Sequence, residues 1–174
     1  FAGGLVLPRA LALAGDGLLV AEPPNLWFMR DTDGDGKADD RQLVASDYGN
    51  PTNPEHSANG LMWGLDNWIY SANHTTRFRY LPKPEAGRGE WQREPTIFRG
   101  QWGITQDDFG QLYFNNNSVA LYTDVMPAEY LLRNRNLPNP HGANVQMARA
   151  DEISVWPARI TTGVNRGYRI LRED

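Results

Sequence analysis

The sequence predicts an all-β fold of the propeller class, and three observations support this prediction. Glycine, proline and aromatic residues are abundant, with 17 Gly, 12 Pro and 11% aromatic residues in a chain of 174. Such a composition is typical of short strands joined by tight turns. A hairpin signal occurs three times along the chain, and only one stretch has the pattern of a helix.

The hairpin signal comes from three segments that align without a gap: ALALAGDGLLV (10–20), GLMWGLDNWIY (60–70) and GITQDDFGQLY (103–113). Each has a small residue first and an apolar residue second, and each ends in two strand formers. The eighth place holds Gly17, Asn67 or Gly110, residue types that tolerate positive φ. Each segment therefore predicts a strand, a tight turn with positive φ at the eighth place, and a second strand.

The copies begin at residues 10, 60 and 103, so they are 50 and 43 residues apart. One hairpin signal every ~40–50 residues is typical of propeller blades, and a closed propeller needs at least four blades. We interpret residues 153–170 as the start of a further blade. We thus expect three to four blades in 1–174, forming a partial propeller domain from a longer chain. A β-sandwich with similar hairpins is the alternative.

The single helix signal is DVMPAEYLLRNRN, which predicts a short helix near 126–133. Asp124 can cap its N-terminus, and Pro127 suits the first turn. We expect this helix to cover a sheet face or to bridge two sheets.

Charge and composition exclude several classes of protein. The net charge of −4 and the pI of about 5.4 disfavour non-specific binding to nucleic acid or to anionic lipid. No apolar run approaches the ~20 residues of a membrane helix, so we expect no direct membrane insertion. Cysteine is absent, which excludes disulfides and thiolate metal sites from this segment.

An acidic loop, DTDGDGKADD (31–40), has the alternating carboxylates of the first half of an EF-hand calcium loop. Gly36 permits the sharp turn, but position twelve holds Gln42 where an EF-hand has a bidentate Glu. The predicted Ca²⁺ ligands are Asp31, Asp33, Asp35, the Lys37 carbonyl, Asp39 and Asp40. The apolar flanks predict a calcium-clamped hairpin with a structural role. A solvated acidic turn is the alternative.

Two further residues share one offset from the repeats. His56 lies four residues before Gly60, and Arg99 lies four residues before Gly103. In a propeller, residues just before the innermost strand lie at the mouth of the central channel, so we expect both side chains at one rim. A neutral imidazole beside a fixed cation can act as a base and an electrophile.

The stretches HSANGLMWGLDNWIY and RGQWGITQDDFGQLY resemble two motifs of the glucose/sorbosone dehydrogenase family. LVAEPPNLWFMRDTDGDGKADD and FRGQWGITQDDFGQLYFNNNS are more similar still to large exported proteins of planctomycetes and verrucomicrobia, labelled as membrane-bound dehydrogenases. Many of these join the propeller to a helical-repeat region and a cytochrome c domain. Gly100 and Trp102 stand where the characterised family has Asn and Gln.

This resemblance implies a six-bladed ring, a pyrroloquinoline quinone (PQQ) cofactor, calcium, and a periplasmic or extracellular location. It implies that His56 takes the hydroxyl proton of a sugar or alcohol while hydride passes to the quinone. Arg99 would bind the cofactor and polarise its carbonyl, and Trp102 could stack on it. The alternative role for Trp102 is packing within a blade. The alternative role for Arg99 is an ion pair between blades.

Two functions follow as hypotheses. The first is a PQQ-dependent sugar or alcohol dehydrogenase that passes electrons to a cytochrome c partner. The second is a non-catalytic, calcium-stabilised propeller that serves as a scaffold or carbohydrate-binding subunit of a larger complex, with the remaining blades or other subunits as partners. An enzyme needs His56 and Arg99 to face one cavity, whereas a scaffold can bury such side chains in ion pairs.

Overall fold

A computed structural model describes residues 1–83, 85, 87, 89–134, 136, 142–147, 149 and 152. These residues form three antiparallel four-stranded sheets and one short α-helix. The prediction of a mostly β protein with a short helix is therefore confirmed. The predicted further blade at 153–170 lies outside the described residues.

Each sheet is built from strands that are consecutive in the chain. Sheet 1 contains β1 (Ala10–Ala14), β2 (Gly17–Glu22), β3 (Asn25–Arg30) and β4 (Asp40–Ala45). Sheet 2 contains β5 (Asn59–Trp63), β6 (Ile69–Ala72), β7 (Thr76–Leu81) and β8 (Glu90–Pro95). Sheet 3 contains β9 (Ile104–Gln106), β10 (Leu112–Phe114), β11 (Tyr122–Thr123) and β12 (Val145–Gln146). The helix α1 (Ala128–Leu132) lies between β11 and β12.

Each of the three aligned segments forms the first two strands of one sheet. The first strands of neighbouring sheets are close together, β1 to β5 and β5 to β9. Asn67 and Gly110 have positive φ, at 62° and 82°, as predicted.

The prediction of positive φ at Gly17 is wrong. The first hairpin has a two-residue turn, because Ala14 pairs directly with Gly17, and the positive φ of 54° is at Gly15. Gly17 is instead required by close packing, since a Cβ there would lie 2.6 Å from the Met29 carbonyl oxygen. The gapless alignment matched the strands but concealed turns of different length.

Sheet 2 packs against both of its neighbours through different kinds of core. The interface between sheets 1 and 2, here interface 1–2, is an apolar cluster. Its buried members include Leu19, Leu26, Phe28, Ile69 and Phe78. The interface between sheets 2 and 3, here interface 2–3, has a smaller buried cluster, consisting of Trp68, Tyr70 and Leu112. The candidate site residues that follow lie around this second interface and in the β3–β4 loop.

Candidate functional site

The acidic loop between β3 and β4 folds back onto Asp31. The two carboxylate oxygens of Asp31 accept hydrogen bonds from the backbone N–H groups of Gly34 (2.7 Å) and Gly36 (2.8 Å). These bonds, that of Gly36 foremost, hold the pKa of Asp31 below its ordinary value. One carboxylate oxygen from each of Asp31, Asp33 and Asp35 lies within 4.8 Å of the other two. The local sequence thus brings three hard oxygen ligands together.

Two of the remaining predicted ligands, Asp39 and Asp40, have other partners. Asp39 accepts from the backbone N–H (2.8 Å) and the hydroxyl (2.5 Å) of Thr32, which lowers its pKa. Asp40 receives hydrogen bonds from Arg30 at 2.8–2.9 Å. The Lys37 ammonium lies 3.7 Å from a carboxylate oxygen of the cluster. Among the described residues, the three-carboxylate cluster is therefore narrower than the six-residue set predicted from the sequence.

His56 lies at the end of a short 3₁₀ turn, Pro54–His56, with an exposed ring. Its Nδ1 lies 2.9 Å from Nε2 of Gln101. Gln101 is held in turn, because its N–H donates to the Asn115 carbonyl (2.7 Å) and its carbonyl accepts from the Asn59 amide (2.8 Å). The partner of the imidazole is thus an amide rather than a carboxylate.

The Arg99 side chain is 1% exposed and lies in an ionic network. Its Nε donates to Asp124 (2.7 Å), Nη1 to the Thr96 hydroxyl (2.5 Å) and Nη2 to Glu129 (3.2 Å). The guanidinium carbon lies 5.1 Å from the centroid of the Tyr70 ring. Every guanidinium nitrogen of Arg99 therefore has an acceptor within the protein.

Glu129 is the carboxylate of this network whose titration is altered. Burial raises its pKa, but the Thr96 hydrogen bond and the positive charge of Arg99 outweigh burial, and the pKa lies below its ordinary value. Glu129 is therefore ionised at neutral pH. Arg99 with Asp124 and Glu129 forms a buried charge cluster that requires all its members.

The segment after Arg99 departs from the motif that it resembles for a structural reason. Gly100 has φ of 55°, and a Cβ there would lie 2.5 Å from the Asn115 carbonyl oxygen. An asparagine therefore does not fit this backbone. Trp102, two residues further on, is 43% exposed.

A cavity of about 590 Å³ lies between sheets 2 and 3 and α1. We call it the inter-sheet cavity. Its charged lining residues are Asp66, Arg77, Arg99, Asp124, Glu129 and Arg133. His56 and Trp102 do not line it. Within the described residues, the structure therefore does not bring the predicted base and the predicted electrophile to one cavity.

Sequence reasoning missed the partners of Arg99. Asp124 was expected to cap α1, but Pro127 holds the N-cap position and Asp124 bonds Arg99 and the Asn144 N–H instead. Glu129 carried no signal beyond its place in the predicted helix. The one signal was the apolar surroundings of Arg99 in TIFRGQW. A buried arginine needs acidic partners, and none lies within that stretch.

Residues 1–172 match the model of a family described as a domain of unknown function, DUF7133. The chain belongs to this family. Comparisons with curated proteins and with solved structures give no match. None of the helices that the structure describes has the length and apolar character needed to cross a membrane.

Proposed function

We propose that this chain is a section of a β-propeller that acts as a non-catalytic scaffold or binding subunit, stabilised by a calcium ion. The observation that carries this proposal is the state of Arg99, which is buried and bonded to Asp124, Thr96 and Glu129. A guanidinium that polarises a substrate or cofactor carbonyl must aim N–H groups at it. Arg99 instead ties the loop before β9 to α1.

The exposed faces of the outer sheets support a larger ring. In β1, Ala12 and Ala14 are buried, whereas Leu11 and Leu13 are 60% and 78% exposed. The large apolar side chains of this strand therefore point away from the core of the described structure. Exposed apolar faces of this kind mark surfaces that another element covers. The proposed cover is a further sheet of the complete propeller.

Sheet 3 has a comparable feature on its own side. A groove of about 290 Å³ is lined by apolar residues of its strands and the loop after β10, among them Ile104, Phe114 and Leu121. Sheets that pack face to face lie about 10 Å apart and interlock their side chains. A further sheet packed on this side would fill the groove.

The acidic loop supports the calcium part of the proposal. Asp31, Asp33 and Asp35 bring three carboxylates to one point, and like charges so close repel one another without a cation. Ca²⁺ takes six to eight oxygen ligands in flexible geometry, so backbone carbonyls and water would complete the set. When bound, the ion would neutralise the loop and hold β3 and β4 together.

The described residues do not fit a quinone held between His56 and Arg99. The guanidinium is enclosed by its own carboxylates, and His56 lies outside the inter-sheet cavity that Arg99 lines. We derive no hydride-transfer step from this arrangement. Experiment has to exclude the dehydrogenase hypothesis.

The enzymatic test uses the full-length protein reconstituted with PQQ and Ca²⁺ and offered glucose and primary alcohols with a redox dye. We expect no turnover and no quinone absorbance after desalting. Turnover that is lost in His56→Ala, with the melting temperature unchanged, would show that the protein is a dehydrogenase and would overturn the proposal.

The calcium test is calorimetric. Titration of Ca²⁺ into the metal-free protein should give heat and raise the melting temperature, since a ligand at 100 times its Kd stabilises by about 2.7 kcal/mol. Asp33→Asn should weaken binding, because it removes one of the three clustered carboxylates. Asp108→Asn changes an exposed carboxylate in the β9–β10 turn; it is the matched control and should bind as the parent does. Equal weakening by both variants would indicate a solvated acidic turn.

A further inference from the structure

The inter-sheet cavity has a role that scaffolding does not explain. Its volume of about 590 Å³ lies within the ~300–1,000 Å³ of small-molecule sites. Two sheets with a purely structural role would pack without such a space, because voids lower the stability of the folded protein. The cavity is lined by residues of both signs together with apolar side chains, so its chemistry can be read from the groups that have no partner.

Most of the positive charge in the cavity is already neutralised. Arg99 bonds to carboxylates as described above. Arg77 donates from Nη1 to Tyr70 (2.8 Å) and Asp66 (3.3 Å) and from Nη2 to Glu94 (2.7 Å). The Arg77 side chain is only 8% exposed, and its Nε is buried without a hydrogen-bond partner. Arg77 therefore offers no accessible N–H donor to a ligand in the cavity.

Glu129 of α1 and Arg133 just after it add an acceptor oxygen and a cation that have no ion-pair partner of their own among the described residues. Glu129 uses Oε1 for Thr96 and Arg99, and its Oε2 has no partner among the described residues. Arg133 continues the helical backbone (φ −68°, ψ −27°), one turn after Glu129. Residues four apart share a helix face about 5–6 Å from each other. Both line the cavity.

This pair does not neutralise itself. Arg133 leans over the Tyr130 ring, with 5.2 Å from the guanidinium carbon to the ring centroid. No ion pair of Arg133 occurs in the part of the chain that the structure describes. Glu129 is held towards Arg99 instead. A negative and a positive group therefore face the same space, one helical turn apart, with spare hydrogen-bonding capacity.

The mouth of the cavity is apolar. Phe109 is 92% exposed, Val125 64% and Leu65 63%, and all three line the cavity. Phe109 and Leu65 belong to the β9–β10 and β5–β6 turns, which touch where Gly110 meets Leu65. Exposed apolar side chains grouped around a cavity are typical of a binding site.

We propose that the inter-sheet cavity binds a small zwitterion with apolar side chains, namely a hydrophobic dipeptide. The carboxylate of the ligand bonds Arg133, and its ammonium bonds Glu129 Oε2. The ligand side chains pack on Phe109, Leu65 and Val125. A neutral ligand would leave the two helix charges desolvated without compensation, and an ion of one sign would meet a like charge.

The test is isothermal titration of the full-length protein with leucyl-phenylalanine. N-acetyl-leucyl-phenylalanine amide has the same side chains but lacks both charges, and glucose is the neutral hydroxylated probe. We expect measurable binding of the dipeptide and at least tenfold weaker binding of both comparison ligands, since each charge-assisted hydrogen bond is lost. Equal binding of the uncharged analogue, binding of glucose alone, or no binding of any probe would overturn the proposal.

Variants locate the site. Arg133→Gln should weaken dipeptide binding about tenfold with little change in the melting temperature, because the substitution removes only an exposed contact with the Tyr130 ring. Phe109→Ala should also weaken binding with the fold unchanged, since the ring is almost fully exposed. Lys83→Gln removes one positive charge outside the cavity lining and is the matched control. If Lys83→Gln weakens binding as much as Arg133→Gln, the dipeptide binds by non-specific charge and not in the cavity.

Discussion

Sheet 2 uses two kinds of chemistry on its two sides. Towards sheet 1 it buries Ile69 and Phe78 in a dry apolar cluster. Towards sheet 3 it presents Tyr70 and Arg77, which join a network of carboxylates and arginines around a cavity. The same meander of four strands thus supports an apolar interface on one face and an ionic interface with a cavity on the other.

This contrast shows that repeating hairpins do not fix the chemistry between sheets. Interface 1–2 gains stability from burial of apolar area, which is non-directional. Interface 2–3 depends on paired charges, whose burial costs nearly as much as their attraction returns. A space can persist in interface 2–3 because its polar walls are bonded to one another, whereas a space in interface 1–2 would collapse or destabilise the fold.

The largest expected effect is in the apolar interface. Phe78 is fully buried, and its ring stacks on His74 with 6.0 Å between centroids. Phe78→Ala should lower the free energy of unfolding by about 3–5 kcal/mol, because it leaves a cavity. Phe109→Ala is the control and should change it by less than about 0.5 kcal/mol. Urea titration measures both, and similar losses would remove the contrast between buried and exposed aromatic rings.

The next effect lies in the ionic interface. Arg99→Met should cost about 3 kcal/mol, because it leaves Asp124 and Glu129 as buried charges without their cation. Combining it with Asp124→Leu and Glu129→Leu should restore much of this loss, since no charge then remains unpaired. Thermal unfolding of the single and triple variants measures the difference. A triple variant no more stable than Arg99→Met would show that the loss does not come from the unpaired carboxylates.

The two interfaces should lose stability in different pH windows. His74 stacks against Tyr48, with 4.7 Å between centroids, and its Nε2 is buried without a partner. Burial lowers the pKa of His74 in the folded state, only partly offset by Asp47. The unfolded chain, with a histidine pKa near 6.5, then binds the proton more tightly. Stability should fall as the pH drops below about 6.5, and His74→Gln should remove this loss.

Protonation of Glu129 should destabilise interface 2–3 at lower pH. Its pKa is lowered in the folded state, so its contribution is complete above the unfolded value of about 4.3. That contribution disappears as the pH falls through the folded-state pKa. Melting temperatures measured from pH 8 to pH 3 should show two steps. Glu129→Gln should reduce only the more acidic step, to which other carboxylates with lowered pKa values, such as Asp47, also contribute. A single step would mean that both interfaces lose stability in the same pH range.

The smallest effect concerns a polar contact at the edge of the apolar interface. The Trp63 indole N–H donates to the Leu13 carbonyl at 2.7 Å, which joins sheet 2 to the backbone of β1. Trp63→Phe should lower the free energy of unfolding by about 1 kcal/mol, the usual net value of one hydrogen bond. Trp102→Phe is the control, because that indole is 43% exposed. Equal losses would assign the effect to ring size.

The fold was largely predictable because its signals are local. Strand alternation and turn residues identified all three hairpins, and Pro127 with the apolar residues that follow it located α1. The cluster of Asp31, Asp33 and Asp35 was also predictable, since alternating residues of one tight loop can converge. Gly17 was misread because a glycine needed for close packing looks the same in sequence as one needed for positive φ.

The candidate site was less predictable because its contacts are distant in sequence. Arg99 meets Asp124 and Glu129, which are 25 and 30 residues further on, and no local pattern records such a pairing. The equal offsets of His56 and Arg99 from the repeats were a correct observation about position along the chain. They did not fix side-chain direction, which depends on the backbone at Gly100 and on the carboxylates that Arg99 meets.

The order of the strands has a consequence for synthesis. Every strand of sheets 1 and 2 pairs only with its neighbours in the chain, so the hydrogen bonds of sheet 1 are available once residue 45 has left the ribosome. Its buried apolar face, however, must wait for Ile69 and Phe78 of sheet 2. For the time taken to translate about thirty further residues, at ~5–20 residues per second, a nascent chain carries a complete sheet with an uncovered hydrophobic side. The uncovered apolar face of sheet 1 is therefore a surface that a ribosome-associated chaperone can bind during synthesis.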